Sequence, residues 1–542
     1  MGRLAGAAAI IFLGNITSRL LGLVREQVIA ALFGVTGPTS AYRTATRLAT
    51  VVYDLLISGA ISAALVPVFT DYARDRRHLA HVVCVVLNLL LLGLGVALLL
   101  LGLAAPTLVR LLGANPVYFE LTVTLTRWAL VSVWLLGLAG VLTAALYARR
   151  DFKWPAFATA AYNLGLIGAA WLLTPLWPAE RAAESIVVLA IGLVVGALLQ
   201  VAVQLPGVRD LPYQLVFDWR HPGVRTALRL YAPVAAGLVV SNFGVVVDTN
   251  LAWRTGPESL AALQAATTLV QFPLGLVASA VSLAALPTLA RAVGRQARGA
   301  PAPGPPPIQG GAGAPDDYTT TLVLGMRLVL LLILPATVGL VLLREPVVAW
   351  LFQRGAFTAV ATVQTAQAFL FYAPQLPFAA LDQLFIVAFY ARKDTRTPVL
   401  VGMGTVLLYL ATAPLLCGCV DLPLLGRPIS ALGRDGLALA NALQNSTHAV
   451  VLFLLLRRLC PGLGTELVGY TLRVGLATLG MGAALALALP PLQALVGPAP
   501  GPLVVSAGLS SLVVYGGLLA LLRVREAGLL WTLVRERLRR GT

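Results

Sequence analysis

Long apolar runs recur along this chain and constrain it more than any other feature. At roughly 20 apolar residues per bilayer crossing, the sequence divides into about 14 candidate helices. They lie at residues 5–33, 40–70, 80–104, 119–147, 155–174, 184–205, 228–253, 259–290, 320–343, 359–390, 398–416, 435–456, 467–489 and 502–522. A soluble domain carries roughly 25% charged residues. Here the figure is 11% of 542 residues, with 58% hydrophobic and a mean hydropathy of +0.87. Such a chain has too little polar surface to face water, so most of its solvent is lipid. The expected fold class is an all-α polytopic membrane protein; soluble enzymes, secreted disulfide scaffolds and disordered chains are excluded. The opening MGRLAGAAAIIFLG imitates a signal peptide, but the apolar stretch runs on to Phe33 and contains Arg19, Arg25 and Glu26. It reads as an uncleaved first membrane helix.

The formal charge is +17, from 39 Lys+Arg against 22 Asp+Glu. The cations are scattered between apolar segments, so they point to membrane topology and not to nucleic acid. With the N-terminus inside, 25 of them fall at the inner ends and connections and 7 at the outer ones. That bias predicts a multi-pass protein of the cytoplasmic membrane with both termini in the cytoplasm. Cys84 and Cys460 are isolated, and Cys417 and Cys419 are too close for an ordinary disulfide. With four histidines and no His/Cys cluster, neither a metal site nor a cofactor is expected. The chain has no nucleotide-binding loop, nucleophile elbow or HExxH helix, so it reads as a non-enzyme that does not hydrolyse ATP.

The sequence also repeats itself. Ala145-Leu-Tyr-Ala-Arg-Arg-Asp-Phe-Lys-Trp-Pro155 returns 243 residues later as Ala388-Phe-Tyr-Ala-Arg-Lys-Asp-Thr-Arg-Thr-Pro398. Thr36-Gly-Pro38 is echoed by Thr255-Gly-Pro257, and Ala64-Leu-Val-Pro67 by Ala285-Leu-Pro287. The copies are six helices apart and therefore share one orientation. The organisation expected is two parallel six-helix bundles, residues 1–206 and 207–456, a transporter design with the substrate site between bundles. Two further helices follow at 457–522, and a basic tail at 523–542 reads as an amphipathic helix on the anionic inner leaflet. Residues 294–318 are Gly/Pro/Ala-rich and read as a flexible cytoplasmic linker within the second bundle. The bland alternative is that the repeated motif only marks helix ends with basic flanks.

Charges inside membrane helices need a partner or a watery cavity. The first helix places Asn15, Arg19, Gly22 and Glu26 on one face, with Arg25 beside it, and the second carries Arg43, Arg47, Thr50, Asp54 and Ser58 as a stripe. Together they present four arginines and two carboxylates to a common space. The functional reading is a cationic cavity for an anionic ligand, most naturally a phosphate or diphosphate, because guanidinium groups stay charged and donate bidentate hydrogen bonds. The candidate substrate-binding residues are Arg19, Arg25, Glu26, Arg43, Arg47 and Asp54. The alternative is a structural ion-pair network, with Arg43 snorkelling to the outer interface. Asp248 is the candidate for coupling to an ion or proton, unless it is solvated near the outer interface. Asp382 and Arg127 read as structural partners, and Asn441, Gln444 and Asn445 as interhelical glue.

Several segments then resemble one family. Thr17-Ser-Arg-Leu-Leu-Gly-Leu-Val-Arg-Glu26 resembles the first-helix signature of the MurJ/MviN lipid II flippases. So do Gly59-Ala-Ile-Ser-Ala-Ala-Leu-Val-Pro67, Pro155-Ala-Phe-Ala158 with Asn163, Leu351-Phe-Gln-Arg-Gly-Ala-Phe-Thr358 and Phe389-Tyr-Ala-Arg-Lys-Asp-Thr-Arg-Thr-Pro398. The resemblance implies the multidrug/oligosaccharidyl-lipid/polysaccharide exporter fold and export of undecaprenyl-diphosphate-linked peptidoglycan precursor by alternating access. It implies diphosphate-binding cations at Arg19, Arg25 and Arg47, a groove at the last two helices for the lipid tail, and cell-wall synthesis proteins as partners. Tyr53 and Ser58 stand where the family has an arginine and a glutamate, Ser40 where it has an acidic residue, and Thr268 where it has an arginine. Arg43 and Asp54 are extra. An exporter of another polyprenyl-linked glycan and a non-transporting membrane scaffold therefore stay open as alternatives.

Overall fold

The structure is a computed structural model describing residues 2–58, 64–176, 184–278, 289, 293, 318–419, 432–460, 463, 465–524, 526 and 528. The linker other than Tyr318, the echo at 285–287, residues 59–63 of the second-helix motif and most of the basic tail lie outside the described residues. Among the described residues the elements are helices and turns, with no strand. Among the described residues, nine helices are long and apolar enough to cross a membrane. A tenth span follows if Ala359–Tyr372 and Gln375–Ala391 are counted as one helix bent by 52° at Ala373-Pro374. The expected first, second, seventh and eighth spans are not in that set; the second α-helix stops at Tyr53 after 17 residues.

The chain divides into two compact units, Met1–Gln264 with Phe352–Ala361, and Ala265–Leu351 with Thr362–Thr542. In the first, the helices are α1 (Gly2–Phe33), α2 (Gly37–Tyr53), α3 (Val66–Tyr72), α4 (Arg76–Leu103) and α5 (Ala105–Leu111). They continue with α6 (Phe119–Ala148), α7 (Lys153–Leu173), α8 (Val187–Val208), α9 (Pro222–Arg254) and the start of α10 (Ser259–Pro273). Thr36 caps α2, its hydroxyl accepting from Thr39 N, with Pro38 in the first turn where no backbone N–H is needed. Asp75 caps α4 in the same way. The core pairs α7 with α8, α6 with α8, α1 with α7 and α2 with α6. Ile29, Tyr42, Leu125, Leu130, Leu166 and Leu189 are buried at its centre.

One tether fixes the end of α1. Ala356 N donates to Ala31 O at 2.8 Å, satisfying a carbonyl that the helix end leaves unpaired. Gly34 (φ 62°) and Gly355 (φ 55°) make this possible: a Cβ on Gly34 would lie 2.3 Å from Ala356 O. The resembling segment 351–358 thus contributes a helix stop.

In the second unit the helices are α11 (Tyr318–Leu342), α12 (Arg344–Phe352, its last residue in the first unit) and α13 (Ala359–Tyr372). They continue with α14 (Gln375–Ala391), α15 (Arg396–Leu416), α16 (Arg434–Leu459), α17 (Thr465–Val496) and α18 (Pro500–Leu521). Helix α14 packs on α11 and α16, α15 on α16, and α17 on α11 and α18.

The repeat is visible in backbone geometry. Arg150 (φ 62°) and Lys393 (φ 61°) end α6 and α14 in the left-handed region. Asp151 N donates to Leu146 O at 2.9 Å and Asp394 N to Phe389 O at 3.1 Å, the six-to-one bond of a helix stop. Asp151 and Asp394 then accept from Lys153 N and Arg396 N to start the next helix. A π-turn follows α2 at Asp54–Ser58 and another follows α10 at Leu274–Ala278, at matching places in the two echoes. Such turns are frequent at functional sites.

Candidate functional site

Arg43, Arg47, Thr50 and Asp54 lie on one face of α2 and its π-turn, separated by steps of four, three and four. All four line a cavity of about 390 Å³ inside the first unit. Arg25 and Glu26 reach it from α1, Ser132 from α6, Tyr162 from α7, and Asn242 from α9.

Glu26 is the most buried charge there, with 7% of its side chain exposed. Its Oε1 accepts from Arg25 Nη2 at 2.8 Å, and its Oε2 from Arg43 Nη2 at 2.5 Å. A buried carboxylate persists only when paired and hydrogen-bonded. Here one carboxylate meets two guanidiniums, so the cluster keeps a net positive charge. Arg25 also donates through Nη1 to Asn163 Oδ1 at 3.1 Å, while Asn163 Nδ2 donates to Ser18 O at 3.2 Å. The amide therefore fixes where the guanidinium points. Arg43 stands 5.6 Å from the Tyr42 ring, and its Nε is buried with no hydrogen-bond partner.

Arg47 joins α2 to α9. Its Nη1 is 2.5 Å from Asp248 Oδ2 and 3.4 Å from Thr249 Oγ1. One turn along the same seam, Trp253 Nε1 donates to Thr44 Oγ1 at 2.8 Å. Counting Asp248 behind Arg47, three arginines (Arg25, Arg43, Arg47) balance three carboxylates (Glu26, Asp54, Asp248).

Arg19 is not brought to this cavity: it is exposed on α1, about 9 Å along the axis from Arg25. Arg43 lies in the cavity wall, paired with Glu26. Tyr53 lines the cavity, and Ser40 is buried, its hydroxyl accepting from Ala261 N at 3.2 Å. Tyr42 and Tyr162 escaped sequence reasoning, since an aromatic in an apolar helix carries no periodic signal. Asn163 was visible only as part of a resembling motif. Of the other residues singled out, Arg127 donates to Gly102 O at 3.2 Å, and Asn445 Nδ2 donates to Gln375 Oε1 at 2.5 Å, tying α16 to α14.

An all-helical membrane fold enclosing an arginine-lined cavity defines a polytopic membrane transporter. It is similar to a solved structure described as lipid II flippase MurJ in an inward closed conformation, with a TM-score of 0.75 and 20% identity, covering 95% of this chain and 98% of that one. It is also similar to an inward-facing multidrug resistance MATE family transporter of the MOP superfamily, with a TM-score of 0.63 and 15% identity over 84% and 99% of the two chains. In sequence it is 27% identical to the lipid II flippase MurJ of Burkholderia cenocepacia over 82% of each chain. It is 30% identical to the probable lipid II flippase MurJ of Rhizobium meliloti over 80% of this chain and 77% of that one. The family model described as lipid II flippase MurJ matches residues 29–496, and the chain belongs to that family.

Proposed function

We propose that the protein flips undecaprenyl-diphosphate-linked peptidoglycan precursor, lipid II, across the cytoplasmic membrane by alternating access. The observation that carries this reading is the cavity in which Arg25, Arg43 and Arg47 converge. A diphosphate offers acceptors and no donors, so it competes with Glu26 and Asp248 for the same guanidinium N–H groups. Arg47 turning from Asp248 to a phosphate oxygen would open the seam between α2 and α9, coupling binding to movement. Asp248, on giving up Arg47, becomes a carboxylate available to a coupling cation. Arg43, with an unpartnered Nε, supplies a cation in a second helix that lacks the family's arginine at Tyr53. Arg19 serves as an outlying cation on the same helix as Arg25, and Asp54 sets the lower edge of the anion site.

A cavity of about 390 Å³ is near the small end for drug-sized ligands. It suits a diphosphate with an adjacent sugar, so a complete glycopeptide head group requires a wider state. The reading includes cytoplasmic termini, anionic inner-leaflet lipids around the basic tail, and cell-wall synthesis proteins as neighbours. Tyr53 and Ser58 favour a second reading, export of another polyprenyl-diphosphate glycan.

The test is expression in cells depleted of their own lipid II flippase, scoring lipid II exposed at the outer face. Restored exposure is the expected result. A stable, inserted protein that restores nothing would favour the second reading or a membrane scaffold.

A further inference from the structure

The second unit contains an aspartate–histidine pair that the cavity does not use. Asp382 of α14 and His448 of α16 face each other, with Nδ1 2.7 Å from Asp382 Oδ1. On the other side of the ring, Nε2 is 3.2 Å from Pro398 O, in the first turn of α15, and the ring lies against Gly402. The two side chains are 13% and 18% exposed.

Both partners are acceptors. A neutral imidazole has one N–H donor and one bare nitrogen, so it can satisfy only one of them while Asp382 is ionised. Both contacts are hydrogen bonds when one additional proton is present, as imidazolium with carboxylate or as a carboxyl donating to Nδ1. We propose that Asp382–His448 is a proton-binding site whose occupied form staples α14, α15 and α16 together. Loss of the proton leaves a bare Nε2 against the Pro398 carbonyl, releasing the start of α15, and takes the pair from neutral to a net negative charge within membrane helices. A low-dielectric site resists that charge unless water or a cation reaches it, so proton release is tied to opening of the seam.

The charged and titratable groups on the packed elements have their own positions. On α11, Tyr318 donates to Ala388 O and Arg327 pairs with Glu526. Between α14 and α15, Asp394 accepts from Thr397, beside Tyr390, Arg392, Lys393 and Arg396; Tyr409 lies further along α15. On α16, Arg434 and Asp435 adjoin at one end and Arg457 and Arg458 lie at the other. The π-turn Leu274–Ala278 against α14 carries none.

This inference rests on the transporter reading but is tested first without substrate. The test uses the purified full chain and a double variant, Asp382→Asn with His448→Gln, whose amides keep a hydrogen bond but bind no proton. Hydrogen–deuterium exchange, corrected for intrinsic rates, is measured over 396–405 at about pH 5.5 and about pH 8.5. The expected result is about tenfold greater protection at the lower pH in the wild type, the scale of one charge-assisted hydrogen bond. The double variant should show no pH dependence there. Equal protection at both pH values in the wild type, or the same pH dependence in the double variant, overturns the proposal. In lipid II-loaded proteoliposomes an imposed proton gradient should alter wild-type flipping and leave the double variant unresponsive. Failure of the wild type to flip lipid II would count against the substrate assignment alone, because the exchange measurement stands without it.

Discussion

At the scale of single residues, the proposed ligand would compete with Glu26 and Asp248 for guanidiniums they already hold. Arg25→Ala should abolish complementation in flippase-depleted cells while membrane levels stay normal. Arg19→Ala tests the outlying cation, and full activity in both variants would remove the diphosphate-cavity reading. Arg43→Ala leaves Glu26 with one guanidinium in place of two. Breaking a buried pair costs about 3–5 kcal/mol, and the retained Arg25 puts this variant near the lower figure, measurable as a lowered unfolding midpoint in detergent. Outside the membrane, Asp210 accepts from Arg149 Nη1 and Nη2 at 2.8 and 2.7 Å and pairs also with Arg76. The Arg149 hydrogen bonds, with smaller help from Arg76, hold its carboxyl down at about 2. Because the folded value lies below the unfolded one, the stabilisation is full above about pH 4 and disappears as pH falls towards 2. The stability difference between wild type and Asp210→Asn should therefore be present at neutral pH and shrink across that acid window.

At the scale of elements, the repeated helix-stop sequence is a backbone device before it is anything else. Arg150 and Lys393 occupy the left-handed region at matching places, and in each copy the following aspartate accepts from the first backbone N–H of the next helix. A non-glycine residue there costs about 1 kcal/mol, so Arg150→Gly and Lys393→Gly should each raise the unfolding midpoint slightly. The motif was legible in the sequence as a repeat, and both of its copies end a helix with the same backbone turn. Gly34→Ala should do the opposite, destabilising by about 2 kcal/mol or more. Its Cβ would meet Ala356 O at 2.3 Å in a left-handed conformation, and loss of folded protein in membranes is the measurement. Sequence reasoning ran residues 40–70 and 359–390 as single helices. The first is interrupted by a π-turn and the second is bent beside Pro374, because hydropathy is blind to hydrogen-bond register.

At the scale of the whole molecule, the two units carry different chemistry. The first encloses arginines paired with carboxylates; the second contains the polar seam Gln375–Asn445 and Asp382–His448. A division of labour between anion binding and proton binding predicts separable defects. Arg25→Ala should lose substrate binding, whereas the Asp382→Asn/His448→Gln variant should bind lipid II with unchanged affinity and lose its response to a proton gradient. Binding to nanodisc-embedded protein, set beside the proteoliposome rates, distinguishes them.

Membrane class, the limits of most spans and the repeat were determined by the sequence itself, since each rests on local properties: hydropathy summed over a window, breakers at helix ends, and identity between segments. So was the single face of α2 that carries Arg43, Arg47 and Asp54, because helical periodicity is local. Which charges meet was decided only by tertiary structure. Glu26 could be assigned to its neighbour Arg25, but its second partner, Arg43, comes from another helix. Asp248 lies 201 residues from Arg47, and His448 lies 66 residues from Asp382. Such pairings depend on the rotation and axial shift of one packed helix against another, which no periodicity within either helix contains. For the same reason Arg19 and Arg25, near one another in sequence and similar in chemistry, end in different surroundings: one exposed, the other held in the cavity by Asn163 and Glu26.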